Sequence, residues 1–239
     1  DGYFFAKQAG HTVNPPVPSL IPLVIQEPFC KDAQGLSLRN ISLKAVDENT
    51  GKVIFEHIGE MLFTHFGVSG PLVLSASCHM RPMESGRYKL FIDLKPGLDD
   101  KQLDARLQRD FEKFHNRDFI NSLSDLLPRK LIGVLVHESG IPGAQKVNTI
   151  TSQQRQAFCR LLKAFPMTVE GTRPIQEAII TSGGVELKEV QPKTMESKLV
   201  RGLYFAGEVL DADAYTGGFN LQIAFSTARA AADAIGQLF

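Results

Sequence analysis

The spacing of apolar positions along the chain changes period several times, and each change marks an element. From Asp99 to His115, the residues Leu103, Leu107, Phe111 and Phe114 recur on one face of a helix, with Asp99 or Asp100 placed to cap its start. Pro128 to Glu138 predicts a second amphipathic helix before Ser139-Gly140, and Thr151 to Ala164 a third, begun by Thr151 and Ser152. Around this helical block the pattern shortens to strands: Leu20 to Val24, Leu36 to Val46, Val53 to His65, Arg87 to Leu94, Phe165 to Gly171 and Ala178 to Thr181. The turn Asn49-Thr50-Gly51 makes the second and third of these a β-hairpin. Gly70-Pro71 opens a short apolar helix, Leu72 to Met80, because Pro is tolerated in a first helical turn. At the front, Gly2 to Ala9 reads as a helix end closed by Gly10, and Asn14-Pro15-Pro16-Val17-Pro18 as a stiff linker crossing between domains.

The tail carries the densest chemistry. Leu203 to Ala206 is an apolar run of strand length, Gly207 removes a β-carbon at its end, and Glu208 follows where ligands of open α/β sheets gather. Thr216-Gly217-Gly218-Phe219-Asn220-Leu221 then opens a helix whose first N–H groups and positive dipole end suit an electron-rich carbonyl or an anionic ring. Ala224, Ala228, Ala231 and Ala232 are small enough for that helix to pack tightly on a sheet. Paired glycines also make ordinary turns, and Asn220 is equally a ligand contact or a capping amide. Asp211 and Asp213 lack the spacing of a calcium loop and read as solvated or loop-fixing. Tyr215 has a phenol able to donate to a substrate carbonyl.

Composition narrows the field. In 239 residues, Lys+Arg and Asp+Glu are both 26 and the cations are scattered, so there is no electrostatic case for nucleic acid or an anionic membrane. No apolar stretch approaches the roughly 20 residues of a membrane span. Cys30, Cys78 and Cys159 are widely separated and odd in number, which points to reduced thiols of a cytoplasmic protein and away from a disulfide framework, a metal site or dithiol redox chemistry.

Taken together, Gly202 to Glu208 with Thr216 to Leu221 resemble a bacterial flavoprotein family of the glutathione-reductase superfamily, the BaiN or YhiN type. Gly59-Glu60-Met61-Leu62-Phe63-Thr64-His65-Phe66-Gly67-Val68-Ser69-Gly70-Pro71 resembles that family's inserted-domain signature. Thr181-Ser182-Gly183-Gly184-Val185 and Lys193-Thr194-Met195-Glu196-Ser197 resemble the segment before its last strand, and Asp1-Gly2-Tyr3 through Ala9-Gly10-His11 the end of its middle flavin-domain segment. The family's Gly-x-Gly-x-x-Gly turn does not occur here, so the resemblance implies the C-terminal part of a longer protein, catalytically incomplete alone.

The resemblance implies an α/β protein, α+β in this portion: part of a Rossmann-like FAD domain with an inserted β-barrel-like domain and a small helical cap. The expected boundaries are 1–18 for the flavin-domain segment and linker, 19–98 and 165–181 for the barrel, 99–164 for the cap, and 182–239 for the last flavin-domain segment. It implies an FAD-dependent oxidoreductase that moves a hydride at flavin N5 to or from a small organic substrate, with NAD(P)H as candidate electron donor. Gly207, Glu208, Thr216, Gly217, Gly218, Phe219, Asn220 and Leu221 are the expected cofactor contacts; no metal is expected. Ser182-Gly183-Gly184 either passes its backbone near the flavin ring or makes a turn. No residue is singled out as the catalytic acid; Tyr215, His65 and His11 are candidates, His65 more often structural in so aromatic a run. The alternative reading is a non-catalytic interaction module built on the inserted domains.

Overall fold

A computed structural model of the chain describes residues 1–237. The chain divides into two compact units, residues 1–21 with 173–239 and residues 22–172. In the terminal unit, α1 (Gly2–Gln8) ends where Gly10 takes a φ of 89° and His11 N–H donates back to the Ala6 carbonyl. The proline-rich segment that follows is not a linker but a strand, β1 (Val13–Ser19). It pairs antiparallel with a strand near residue 180, and the register slips between Asn14 and Val17. The slip falls on Pro15 and Pro16, which have no N–H to give a ladder, and a bulge is where a sheet tolerates them.

The second unit is a closed barrel with helices. Its elements are β2 (Leu23–Ile25), α2 (Phe29–Asp32), β3 (Ser37–Asp47), β4 (Lys52–Phe63), β5 (Gly67–Ser69), α3 (Pro71–Ser77) and β6 (Tyr88–Asp93). The helical block is α4 (Asp100–Lys113), α5 (Phe119–Ser122), α6 (Arg129–Ser139) and α7 (Ser152–Lys163), after which β7 (Phe165–Thr172) returns to the barrel. Strand order around the barrel is β2-β5-β4-β3-β6-β7. The β3–β4 hairpin and the three longer helices lie where the apolar pattern predicts them; α5, one turn long, has no periodic signal and was not expected. Both α4 and α7 start with a reciprocal capping box, Asp99 with Gln102 and Thr151 with Gln154.

Barrel and helices share one core. Leu43, Leu90, Ile92 and Phe165 from the strands are fully buried with Leu103, Leu107, Leu131 and Leu162 from the helices. Burial of each such side chain contributes about 1.5–3 kcal/mol relative to exposure. Phe119 stands edge-on to Phe158 at 5.1 Å, and Arg155 of α7 donates to Asp104 of α4 at 2.7 Å.

The family signature from Gly59 to Pro71 falls on β4, β5 and the start of α3. Gly67 and Gly70 answer close backbone approaches: a β-carbon on Gly67 would lie 2.3 Å from the Leu23 carbonyl oxygen. No helix among the described residues is long and apolar enough to cross a membrane.

The chain then re-enters the terminal unit. Ala178 to Thr181, expected with the barrel, belongs here and continues into β8 (Ile180–Val185), the partner of β1. The last element is α8 (Phe219–Gly236). The expected strand at Leu203 to Ala206 is absent: Tyr204 forms only an isolated bridge with Glu196. Ladder formation needs a neighbour along the whole run, and these residues have one for a single position. A small core of Ala6, Val185, Val190, Phe205 and Leu210 holds the unit together.

Candidate functional site

The terminal unit contains a cleft of about 450 Å³. Leu20 from the end of β1 and Ile179 and Ile180 at the start of β8 form one apolar wall; Leu221, Ile223 and Ala224 of α8 form another. Its polar rim comes from Glu208, Tyr215, Thr216 and Asn220, with the backbone of Gly207, Gly217 and Gly218 between them. Of the expected cofactor contacts only Phe219 stays outside this lining; its ring is 58% exposed.

Local chemistry explains how these residues are held. Gly207 turns with φ 73°, donates its N–H to the Thr227 hydroxyl at 2.9 Å, and has Ala224 where its β-carbon would point. Gly217 and Gly218 have φ of 114° and 89°, a conformation that side chains with a β-carbon resist. The N-cap of α8 is Gly218, which has no side chain to cap it, and the amides of the first turn have no intrahelical partner. Asn220 is neither cap nor, by its amide, free for a ligand. Its Oδ1 accepts from Ala214 N–H at 2.8 Å and its Nδ2 donates to the Ala214 carbonyl at 2.7 Å, clasping the loop to the helix.

The acids of the loop are fixing groups. Asp211 accepts from Asn14 Nδ2 at 2.7 Å and Gly183 N–H at 3.0 Å; Asp213 accepts from the Ser19 and Ser182 hydroxyls at 2.7 and 3.0 Å. Both therefore bind the loop to the β1–β8 ribbon. Glu208 Oε1 accepts from the Thr181 N–H at 2.7 Å and the Thr181 hydroxyl at 3.1 Å, while Tyr3 donates to the Glu208 backbone carbonyl. Glu208 is exposed, and a carboxylate has lone pairs beyond those two bonds.

Ser182-Gly183-Gly184 is a strand segment whose glycines face protein backbone. Added β-carbons would fall 2.5 Å from the Pro15 carbonyl oxygen and 2.5 Å from that of Val209.

The histidines separate. His11 is buried, edge-on to Phe205, with Nδ1 3.0 Å from Glu189 Oε2 and Nε2 2.7 Å from Ser197 Oγ. Ser197 Oγ already accepts from the Leu199 and Val200 amides, so its proton goes to Nε2 and the Nδ1–H goes to Glu189. Hydrogen bonds from Thr12, and then His11, hold the Glu189 carboxyl below its usual range. This buried set ties the start of β1 to the Lys193–Ser197 segment and is structural. His65 lies in the barrel unit, exposed beside Phe66 in a turn closed by Thr64 N–H donating to Gly67. Burial pushes the Cys30 thiol up to about 12 and the Cys159 thiol up to about 11, which makes both poor nucleophiles.

The expectation that α8 packs tightly on a sheet is not met among the described residues. Among Ala224, Ala228, Ala231 and Ala232 only Ala231 is buried, and Leu221 and Phe225 are 64% and 69% exposed. Within the described residues the helix rests on the Gly207 turn through Ala224 and Thr227, not on a sheet. The sequence reading also missed Leu20, Ile179 and Ile180. Their one local signal was an apolar pair ahead of Ser182-Gly183-Gly184, and nothing local announces that Leu20, 1% exposed, adopts a φ of 51°.

Comparison with known proteins places the chain. The family model for the HI0933-like protein barrel and H2TH domain matches residues 17–180. A ribosomal RNA dihydrouridine synthase of Haemophilus influenzae is 34% identical over 99% of the chain and 56% of its own length. A 3-dehydro-bile acid delta(4,6)-reductase of Clostridium scindens is 31% identical over 95% of the chain and 55% of its own. A ribosomal RNA dihydrouridine synthase of Escherichia coli is 33% identical over 97% of the chain and 55% of its own. The chain thus spans about half the length of the curated relatives it matches. With more than half of its residues matched by one family model and relatives above 30% identity along nearly all of it, the chain belongs to the HI0933-like family, of the BaiN/YhiN type.

Proposed function

We propose that these residues form the ring-binding side of an FAD site in an oxidoreductase that saturates a carbon–carbon double bond conjugated to a carbonyl. The observation that carries the reading is the uncapped start of α8, opening beside Glu208 into a cleft with apolar walls.

The residues present fit a flavin. Gly207, Gly217 and Gly218 keep β-carbons off the rim, Leu20, Ile179 and Ile180 offer a dry surface to a flat ring, and the Gly218 to Leu221 amides would hold an electron-rich carbonyl edge. Positive dipole at that edge would favour the reduced, more anionic ring. Glu208 would accept from ribityl hydroxyls, while the chain's own Thr181 holds its Oε1 in place. A bound flavin supplies two-electron hydride chemistry, with a reduced nicotinamide as the expected source of electrons.

The relatives narrow the substrate class. By their names, one reduces double bonds of an oxidised bile acid and two make dihydrouridine, in which the pyrimidine double bond is saturated. Both products arise by adding a hydride and a proton across a double bond conjugated to a carbonyl. Charge balance at neutrality, with 26 cations and 26 anions, gives no basic field for RNA, so a small enone is the substrate we propose.

The test is anaerobic. The purified whole protein should carry released-and-identified FAD, and once chemically reduced its flavin should be reoxidised by cyclohexenone but not by cyclohexene. Reoxidation by both at one rate, or by neither, would remove the enone reading.

A further inference from the structure

We infer that Tyr215 is the proton donor that completes this reduction, an inference resting on the flavin reading above. A bound reduced flavin would supply a hydride to the β-carbon of the enone; the double-bond pair would move onto the carbonyl as an enolate, and the α-carbon would then take a proton from an acid in the cleft. The proton leaves a phenol as phenolate, which water restores. Atoms and charge balance with one hydride and one proton consumed.

Elimination among the lining residues selects the acid. Glu208, Tyr215, Thr216 and Asn220 are the lining side chains with exchangeable protons or acid oxygens. Glu208 is engaged as an acceptor from both donors of Thr181. The Asn220 amide is spent on Ala214 and is no acid. Thr216 has an aliphatic hydroxyl, far weaker as an acid than a phenol, whose ordinary pKa is about 10. A phenol is protonated at neutral pH and still acidic enough to quench an enolate. Tyr3, Tyr88 and Tyr204 do not line the cleft.

The mounting of Tyr215 fits the role. The residue before it is clasped at both N–H and carbonyl by Asn220, and its own carbonyl lies 3.4 Å from the same amide. Two residues earlier Asp213 is held by Ser19 and Ser182. A loop pinned at Asp213 and Ala214 keeps the ring in place when the hydroxyl is removed. At 39% exposure the ring is open enough for water to return the proton to a phenolate.

The experiment compares the flavin-loaded wild type with Tyr215→Phe. Expected are equal FAD content and equal rates of flavin reduction by the nicotinamide, with cyclohexenone-dependent reoxidation slowed about 100-fold or more and its loss at high pH abolished. A readout independent of turnover is ultraviolet difference titration. One tyrosine of the wild type should shift its ionisation when the saturated ketone cyclohexanone is added, and that tyrosine should be missing from Tyr215→Phe. Unchanged reoxidation in Tyr215→Phe overturns the proposal and leaves the flavin reading standing. Loss of FAD from Tyr215→Phe also overturns it, by assigning the hydroxyl to cofactor holding. A wild type that binds no flavin sinks the underlying reading instead.

Discussion

Single residues in the terminal unit are fixed by close contact, and the contacts predict unequal costs. Gly184 and Gly10 both have positive φ, 136° and 89°, but a β-carbon on Gly184 meets backbone at 2.5 Å while one on Gly10 meets nothing within 4 Å. Gly10→Ala should cost about 1 kcal/mol, the left-handed penalty alone. Gly184→Ala should cost at least about 3 kcal/mol, because strand and loop must separate. Denaturant midpoints decide it, and equal shifts would contradict the packing.

Charges make a second prediction at this scale. Arg87 hydrogen-bonded to Asp47, Arg155 to Asp104 and Lys113 to Asp125 hold those carboxyls below their usual range, as Thr12 does for Glu189. A depressed folded pKa stabilises above the unfolded value and is lost as pH falls through the folded one. Thermal midpoints should therefore drop on acidification below the ordinary carboxylate range, and less steeply in Asp47→Asn with Asp104→Asn. A parallel drop would contradict it.

Residue-level legibility was partial. The glycines at 207, 217 and 218 could be read as turn positions because φ is a local property, and all three have positive φ. Their neighbours Leu20 and Ile179 could not, since they reach the cleft through a strand pairing across more than 150 residues, Ser19 with Ile180.

Elements with local start signals were readable, and those defined by distant partners were not. Asp99-x-x-Gln102 and Thr151-x-x-Gln154 announce α4 and α7 in the sequence itself, and the structure closes both boxes. Asp99→Ala and Thr151→Ala should each cost about 1 kcal/mol, measurable by urea unfolding, with Asp99→Ser close to neutral. A Ser variant as unstable as the Ala variant would show that the caps are not what the residues contribute. In contrast β1 looked like a linker because its prolines veto a regular ladder, and only β8 supplies the bulged one. The run Leu203 to Ala206 has strand composition but one bridging position, and α8 has the small residues of a packed helix with only Ala231 buried. In each case composition set what an element could do and the available neighbour decided what it did.

At the scale of the molecule, the barrel with its helices was legible as a class because alternation and helical period stand in separate blocks of the chain. The edges of the units were less so: they fall after Ile21 and Thr172, beside Pro22, Gly171 and Pro174, and glycines and prolines of that kind recur at many other places in the chain. We propose that the start of α8 and the cleft beside it hold a flavin ring. Leu221 lines that cleft, is 64% exposed and makes no core contact, so Leu221→Glu should fold normally and even favour the helix dipole. Its carboxylate would also compete for the amides that the ring carbonyl needs. FAD titration of the apo form of the whole protein, wild type beside Leu221→Glu, by quenching of flavin fluorescence tests this. Tight binding by the wild type is expected, with affinity at least tenfold weaker in the variant at unchanged thermal stability; equal affinity in the two would contradict a flavin ring at this cleft.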